Sequence, residues 1–168
     1  MIQRRIPLRR KRPTKRRQAA RCTVLRCARR PYRPGLSLCG THLMARIDAE
    51  ARRRVFERDE RCQDDREHEC RGPLQWAHLI GRGYRGVRHM QDNGAVLCAG
   101  AHTYYTTRPL EWQDWCLRRL GAERWAELEQ IALEFASGRA RLDLVETARA
   151  MGVVATWPAR TRPDKEGG

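Results

Sequence analysis

The chain has 168 residues, 40% of them hydrophobic, enough for one modest core or two small modules and too few for a large enzyme. Lysine and arginine together number 35 against 20 acidic residues, a balance of +15 with a pI near 10.7, which points to a nucleic-acid partner because phosphate backbones attract such a surface. No stretch approaches the ~20 consecutive apolar residues of a membrane span, and the N-terminus lacks the apolar centre of a signal peptide, so no membrane partner and a cytoplasmic location are expected.

Residues 1–21 carry ten basic side chains, among them Arg10, Lys11, Arg12, Arg16 and Arg17, and no acid. A run of like charge repels itself and cannot build a core, which predicts a disordered arm that lies along nucleic acid. Arginine dominates the excess, and its planar fork suits bidentate contact with phosphate.

Residues 22–42 hold Cys22-x4-Cys27-x11-Cys39-x2-His42, two ligand pairs separated by a loop with Pro31, Pro34 and Gly35. In a reducing compartment such a cluster reads as a metal site rather than as disulfides. A Cys3His set with no open position predicts a structural zinc knuckle. Over residues 43–60, Leu43, Ile47, Ala51 and Val55 recur every four residues, the stripe of an amphipathic linking helix, with Arg46, Arg52, Arg53, Arg54 and Arg58 on its other face.

The next segment contains Cys62, His68, Cys70 and Cys98 around two short apolar runs, 74–80 and 95–98, with a loop between them rich in glycine and arginine. The runs read as strands. Arg82, Arg85 and Arg88 on that loop are the side chains expected to clamp phosphate. Cys62, Cys70 and Cys98, with His68 as the fourth ligand of suitable softness, form a possible second zinc site.

Within AHLIGRGYRGVRHMQDNGAVLCAGAH, His78, Asn93 and His102 stand in the order and spacing of the three signature residues of the HNH, or ββα-metal, endonucleases, and the segment from the helix before Cys62 to about residue 133 resembles the phage-encoded branch of that family. The cysteine-rich knuckle ahead of the motif is similar to the layout of NinG-type recombination nucleases. The resemblance implies an α+β fold: a small zinc knuckle, a ββα-metal core of hairpin and helix over 61–108, and C-terminal helices over 109–151. It implies hydrolysis of DNA phosphodiester bonds with His78 as general base, Asn93 as a brace or orienting group, and His102 as ligand to a catalytic Mg²⁺ or Mn²⁺, with Asp92 or Asn93 as helpers. It also implies a phage protein acting in a bacterial host cell beside packaging or recombination proteins.

Two positions depart from the family pattern. Ala77 stands where many members carry a metal-binding residue, and Ala101 where the second pair of zinc cysteines would close. A noncatalytic zinc-bearing DNA-binding accessory protein that keeps the scaffold is the alternative reading.

Past the motif, Pro109 opens a helix to residue 120, Gly121 stops it, and a second helix follows over 122–136 with Trp125, Leu128 and Phe135 on one face. A third covers 141–151. Residues 152–168 read as a charged, proline-bearing tail, and Cys116 as an ordinary buried thiol.

Overall fold

The computed structural model describes residues 21–33 and 36–153. The basic arm with Arg10, Lys11, Arg12, Arg16 and Arg17, and the tail from residue 154, lie outside the described residues. The architecture is α+β: five α-helices around a two-stranded antiparallel hairpin. Among the described residues no helix is long and apolar enough to cross a membrane.

The knuckle leads into α1, Gly40–Asp59, whose four-residue stripe of Leu43, Ile47, Ala51 and Val55 is fully buried, as the sequence pattern requires. Its basic face is less free than the sequence suggests. Arg53 and Arg54 pair with Glu50, and Arg58 hydrogen-bonds Asp59 and the carbonyls of Gln91 and Gly94. The charge on that helix available to a ligand is therefore carried mainly by other residues, Arg52 among them.

Strand β1, Leu74–His78, pairs with β2, Gly94–Cys98, in a register that sets Ala77 against Ala95 and His78 against Gly94. One face of the hairpin, with Ala77, Ala95 and Leu97, packs on α2 (Ala99–Thr106), α3 (Pro109–Leu120) and Trp125 of α4 (Ala122–Ala136). The other face meets α1: Trp76 packs against the core that α1 shares with α5, Leu144–Ala150. All five β2 residues are buried, which explains why GAVLC reads as a continuous apolar run instead of alternating.

Two buried polar anchors join these layers. The side chain of Asp59, at the end of α1, accepts from the Val96 amide at 2.9 Å, from Arg58 at 2.7 Å and from Arg119 of α3 at 3.0 Å. Burial opposes its charge, but Arg58, the Val96 amide and Arg119 outweigh it and hold the carboxyl below its ordinary range. Asn93, closing a single 3-10 turn before β2, is wholly buried: its Oδ1 accepts from Ile80 N at 2.7 Å, and its Nδ2 donates to the carbonyls of Ile80 at 3.0 Å and Val87 at 3.1 Å. It thereby fixes both ends of the 79–93 loop to the hairpin.

The helices after the hairpin match the sequence boundaries at 109–120 and 122–136, while the last is shorter than expected, starting at Leu144 where Asp143 caps it through the amides of Val145 and Glu146. β1 likewise stops at His78, short of residue 80, because the loop turns away there to meet Asn93. Cys116 is fully buried, and burial pushes its thiol up to about 12.

Candidate functional site

Both predicted cysteine clusters assemble into compact donor sets. In the first, His42 Nδ1 lies 3.2 Å from Cys22 Sγ and 3.4 Å from Cys39 Sγ, and Cys27 Sγ lies 3.9 Å from Cys39 Sγ. In the second, His68 Nε2 lies 3.6 Å from both Cys70 and Cys98 Sγ and 4.0 Å from Cys62 Sγ. A tetrahedral ion with metal–sulfur bonds of about 2.3 Å has sulfur-to-sulfur edges of about 3.8 Å, and shorter sulfur-to-nitrogen ones, so each Cys3His set can hold a metal ion such as zinc.

The surroundings of the thiols favour ligation. At Cys98 burial opposes ionisation, but the amides of Ala101 and Arg71 and the His68 ring prevail and bring the thiol down to about 6. His68 donates from Nδ1 to the Arg66 carbonyl at 2.9 Å, which turns Nε2 toward the three sulfurs, a common second layer for a metal-binding imidazole. Ala101 stands where the family pattern has a cysteine, and His68, the fourth ligand expected from the sequence, is brought to the three sulfurs by the strap 62–73.

A groove of about 600 Å³ has a lining that includes Asp48 and Arg52 from α1, Trp76 and His78 from β1, Arg82 and Arg88 from the loop, and His102 from α2. A smaller cavity of about 250 Å³ adjoins the same two histidines, with Tyr105 and Trp112 on its wall. The two histidines named from sequence therefore share one concave surface. Strand β1 delivers His78 at its last residue, and Cys98 caps α2 by accepting from the Ala101 amide, setting the helix that carries His102.

Each imidazole is held differently. His102 Nδ1 donates to Gln75 Oε1 at 2.5 Å, leaving Nε2 as its free nitrogen. The His78 ring lies 4.1 Å, centroid to centroid, from that of Trp76, and its Nε2 is buried with no hydrogen-bond partner among the described residues. Burial, with the charges of Arg88 and Arg82, pushes His78 down to about 4 against the Arg88 carbonyl and Asp48, so the ring is neutral and proton-accepting at neutral pH. Trp76 reaches this position because residue 94 is glycine: a Cβ there would come within 2.4 Å of the indole nitrogen.

Several sequence assignments change in place. Asn93 is a buried brace with its side chain fully engaged, so it does not line the groove. Asp92, expected as a helper to a metal, pairs with Arg124 at 2.7 Å. Arg88 lines the groove but makes a bidentate pair with Asp48 at 2.7 and 2.8 Å, so its charge is already answered and it is a poor phosphate clamp. Arg82 lines the groove with no ion pair among the described residues, and Arg85 faces a neighbouring cavity.

Three residues of the site escaped the sequence. Gln75 and Trp76 sit in a short strand whose alternation predicts only burial. Asp48 lies on α1 outside the motif and also meets His89 at 2.9 Å; burial opposes its charge, but His89 and Arg88 hold its carboxyl down at about 2. Nothing local marks Asp48, because its partners are 40 and 41 residues away.

Comparison of the chain with protein-family models, with curated proteins and with solved structures finds no match to any of them.

Proposed function

We propose that the chain is a metal-dependent endonuclease of the HNH, or ββα-metal, kind that hydrolyses DNA phosphodiester bonds, phage-encoded, and acting beside DNA packaging or recombination proteins. The observation that carries this reading is the shared groove: a neutral His78, and His102 with its Nδ1 already engaged, line one concave surface with the arginines Arg52 and Arg82. The hairpin followed at once by a helix is the layout that the resemblance implies, and the net charge of +15 suits a polyanion.

In this reading the DNA backbone lies along the groove with Arg52 and Arg82 against its nonbridging oxygens. A water beside His78 loses its proton to the neutral imidazole as its oxygen bonds to phosphorus and the opposite P–O bond breaks. Neutral His78 can accept that proton, and the approaching phosphate charge raises its affinity for it. Asn93 keeps the loop and strand together, and Gln75 keeps the His102 ring oriented.

Zinc fits the two Cys3His sets, where it acts as a structural staple. For the catalytic Mg²⁺ or Mn²⁺ the fit is leaner. His102 Nε2 is the available nitrogen; Asp48, the carboxylate in the groove, is engaged by Arg88 and His89; Ala77 is buried in the core and offers no donor. A divalent ion held by His102 would take the rest of its ligands from water and phosphate oxygens, and would supply charge neutralisation on the leaving oxygen.

That thin donor set favours the second reading, a noncatalytic zinc-bearing DNA-binding accessory protein on the same scaffold. Cleavage of supercoiled plasmid in Mg²⁺ or Mn²⁺ by the full chain, beside His78→Ala, separates them. The nuclease reading expects nicking by the wild type alone with unchanged gel-shift affinity for both. Binding by both with no cleavage by either overturns it in favour of the accessory protein.

A further inference from the structure

The glycine- and arginine-rich loop has two sides. Arg82 and Arg88 face the histidine groove, whereas Gly83, Tyr84 and Arg85 border a separate cavity of about 610 Å³, closed on its far side by Phe135 at the end of α4 and by Arg141 and Leu142 ahead of α5. That volume falls within the ~300–1,000 Å³ of ordinary small-ligand sites. None of the side chains around it is acidic.

Its walls combine two chemistries. Tyr84 comes from the loop and is 44% exposed, so its ring is open to a ligand in the cavity. Phe135 comes from α4 and seats its ring directly on the loop at Gly86, where a Cβ would meet the ring at 2.2 Å. Arg85 and Arg141 add two guanidinium groups that make no ion pair among the described residues. Aromatic faces with uncommitted arginines beside them match a flat base attached to a phosphate.

We propose that the cavity between the 81–88 loop and the α4–α5 turn receives an unpaired nucleobase of the DNA strand whose neighbouring phosphate lies in the His78–His102 groove. The inference rests on the DNA-cleaving reading above and specifies its substrate: DNA carrying an unpaired nucleotide next to the scissile bond. One loop borders both cavities, so a strand crossing it presents a phosphate to Arg82 on one side and its adjacent base to Tyr84 on the other. A base inside an intact duplex is stacked and paired, and enters only at the expense of unstacking. A bulged, gapped or frayed base bears no such expense. Tyr84 is the stacking platform and Phe135 the floor, while Arg85 and Arg141 hold the flanking phosphates.

The test is fluorescence anisotropy with a duplex carrying one unpaired 2-aminopurine and with the same duplex fully paired, using full-length wild type, Tyr84→Ala, Tyr84→Trp and Arg141→Gln. The wild type is expected to bind the unpaired substrate about 10-fold more tightly and to change the 2-aminopurine emission. Tyr84→Ala should lose that preference while binding the paired duplex within about twofold of wild type, and Tyr84→Trp should retain it. Arg141→Gln should weaken both complexes and make their salt dependence shallower by about one counterion. The exposed Tyr84 side chain can be removed without disturbing the core, which an unchanged melting temperature will verify. Equal affinity of the wild type for the two duplexes, or a preference that survives in Tyr84→Ala, overturns the pocket. If plasmid cleavage persists in that case, the nuclease reading stands without it; absence of binding to either duplex overturns both.

Discussion

The two Cys/His clusters share a donor set and differ in what they hold. The first draws all its ligands from residues 22–42: Cys39 precedes α1, His42 lies in its first turn, and the knuckle packs on the core shared by α1 and α5. The second gathers Cys62, His68 and Cys70 from the strap and Cys98 from the junction of β2 and α2, four residues before His102. One staples a terminal module to a helix. The other, with an ion bound, would brace the β2–α2 junction that leads into the helix carrying His102, so equal chemistry would have unequal consequences for the groove.

Removing a ligand from each cluster is the strongest way to break this contrast. Cys98→Ser should release one zinc, remove the clamp between strap and hairpin, and abolish both cooperative melting of the hairpin unit and DNA cleavage, since a structural zinc site contributes on the order of 10 kcal/mol to small-domain folding. Cys39→Ser should also release one zinc yet leave cleavage within about 10-fold of wild type, its loss falling on DNA affinity. Metal analysis beside melting and plasmid cleavage reads all three quantities. Equal loss of cleavage in both variants would remove the distinction.

A second test sharpens how the two halves are joined. Asp59 ties α1 to β2 and α3 from a nearly inaccessible position, so Asp59→Ala should cost about 3–5 kcal/mol by urea unfolding, because Arg58, Arg119 and the Val96 amide lose their acceptor. Acid should act on the same bond. Asp59 and Asp48 have carboxyls lowered on folding, so their contribution is complete above the ordinary carboxylate pKa of about 4 and is lost as pH falls through their folded values, near 2 for Asp48. The urea midpoint should fall steeply below pH 4 in the wild type and less so in Asp59→Ala; a midpoint independent of pH there contradicts the assignment.

The smallest expected effect concerns orientation. Gln75→Leu removes the acceptor for His102 Nδ1, frees the ring to rotate and change tautomer, and should raise the Mn²⁺ concentration for half-maximal cleavage about 10-fold with little change in stability. Gln75→Glu, which keeps an acceptor, should restore the wild-type metal dependence. An unchanged requirement in Gln75→Leu would show that the hydrogen bond does not position His102.

Local features were legible from the sequence and distant pairings were not. The first cluster, the α1 stripe, the glycine stop at 121 and the cysteines of the second cluster follow from spacing and periodicity. What escaped depends on contacts between segments: Arg88 looks like a free cation until Asp48, 40 residues earlier, is brought against it, and the basic face of α1 until Glu50 pairs with Arg53 and Arg54. Asn93 could be read as brace or orienting group, and only its three hydrogen bonds to Ile80 and Val87 distinguish them. Phe135 was legible as apolar, whereas the cavity it floors arises from a loop 49 positions away at Gly86.

In the proposed mechanism His78 and His102 act as one site. Single-turnover cleavage by wild type, His78→Ala, His102→Ala and the double variant tests it directly, with gel-shift affinity measured in parallel. Residues that act as a unit are strongly non-additive, so each single change should slow cleavage by roughly 10²–10⁴-fold with binding preserved, and the double variant should be scarcely slower than either. Single variants that cleave at the wild-type rate, or effects that simply multiply in the double variant, would contradict a shared catalytic groove.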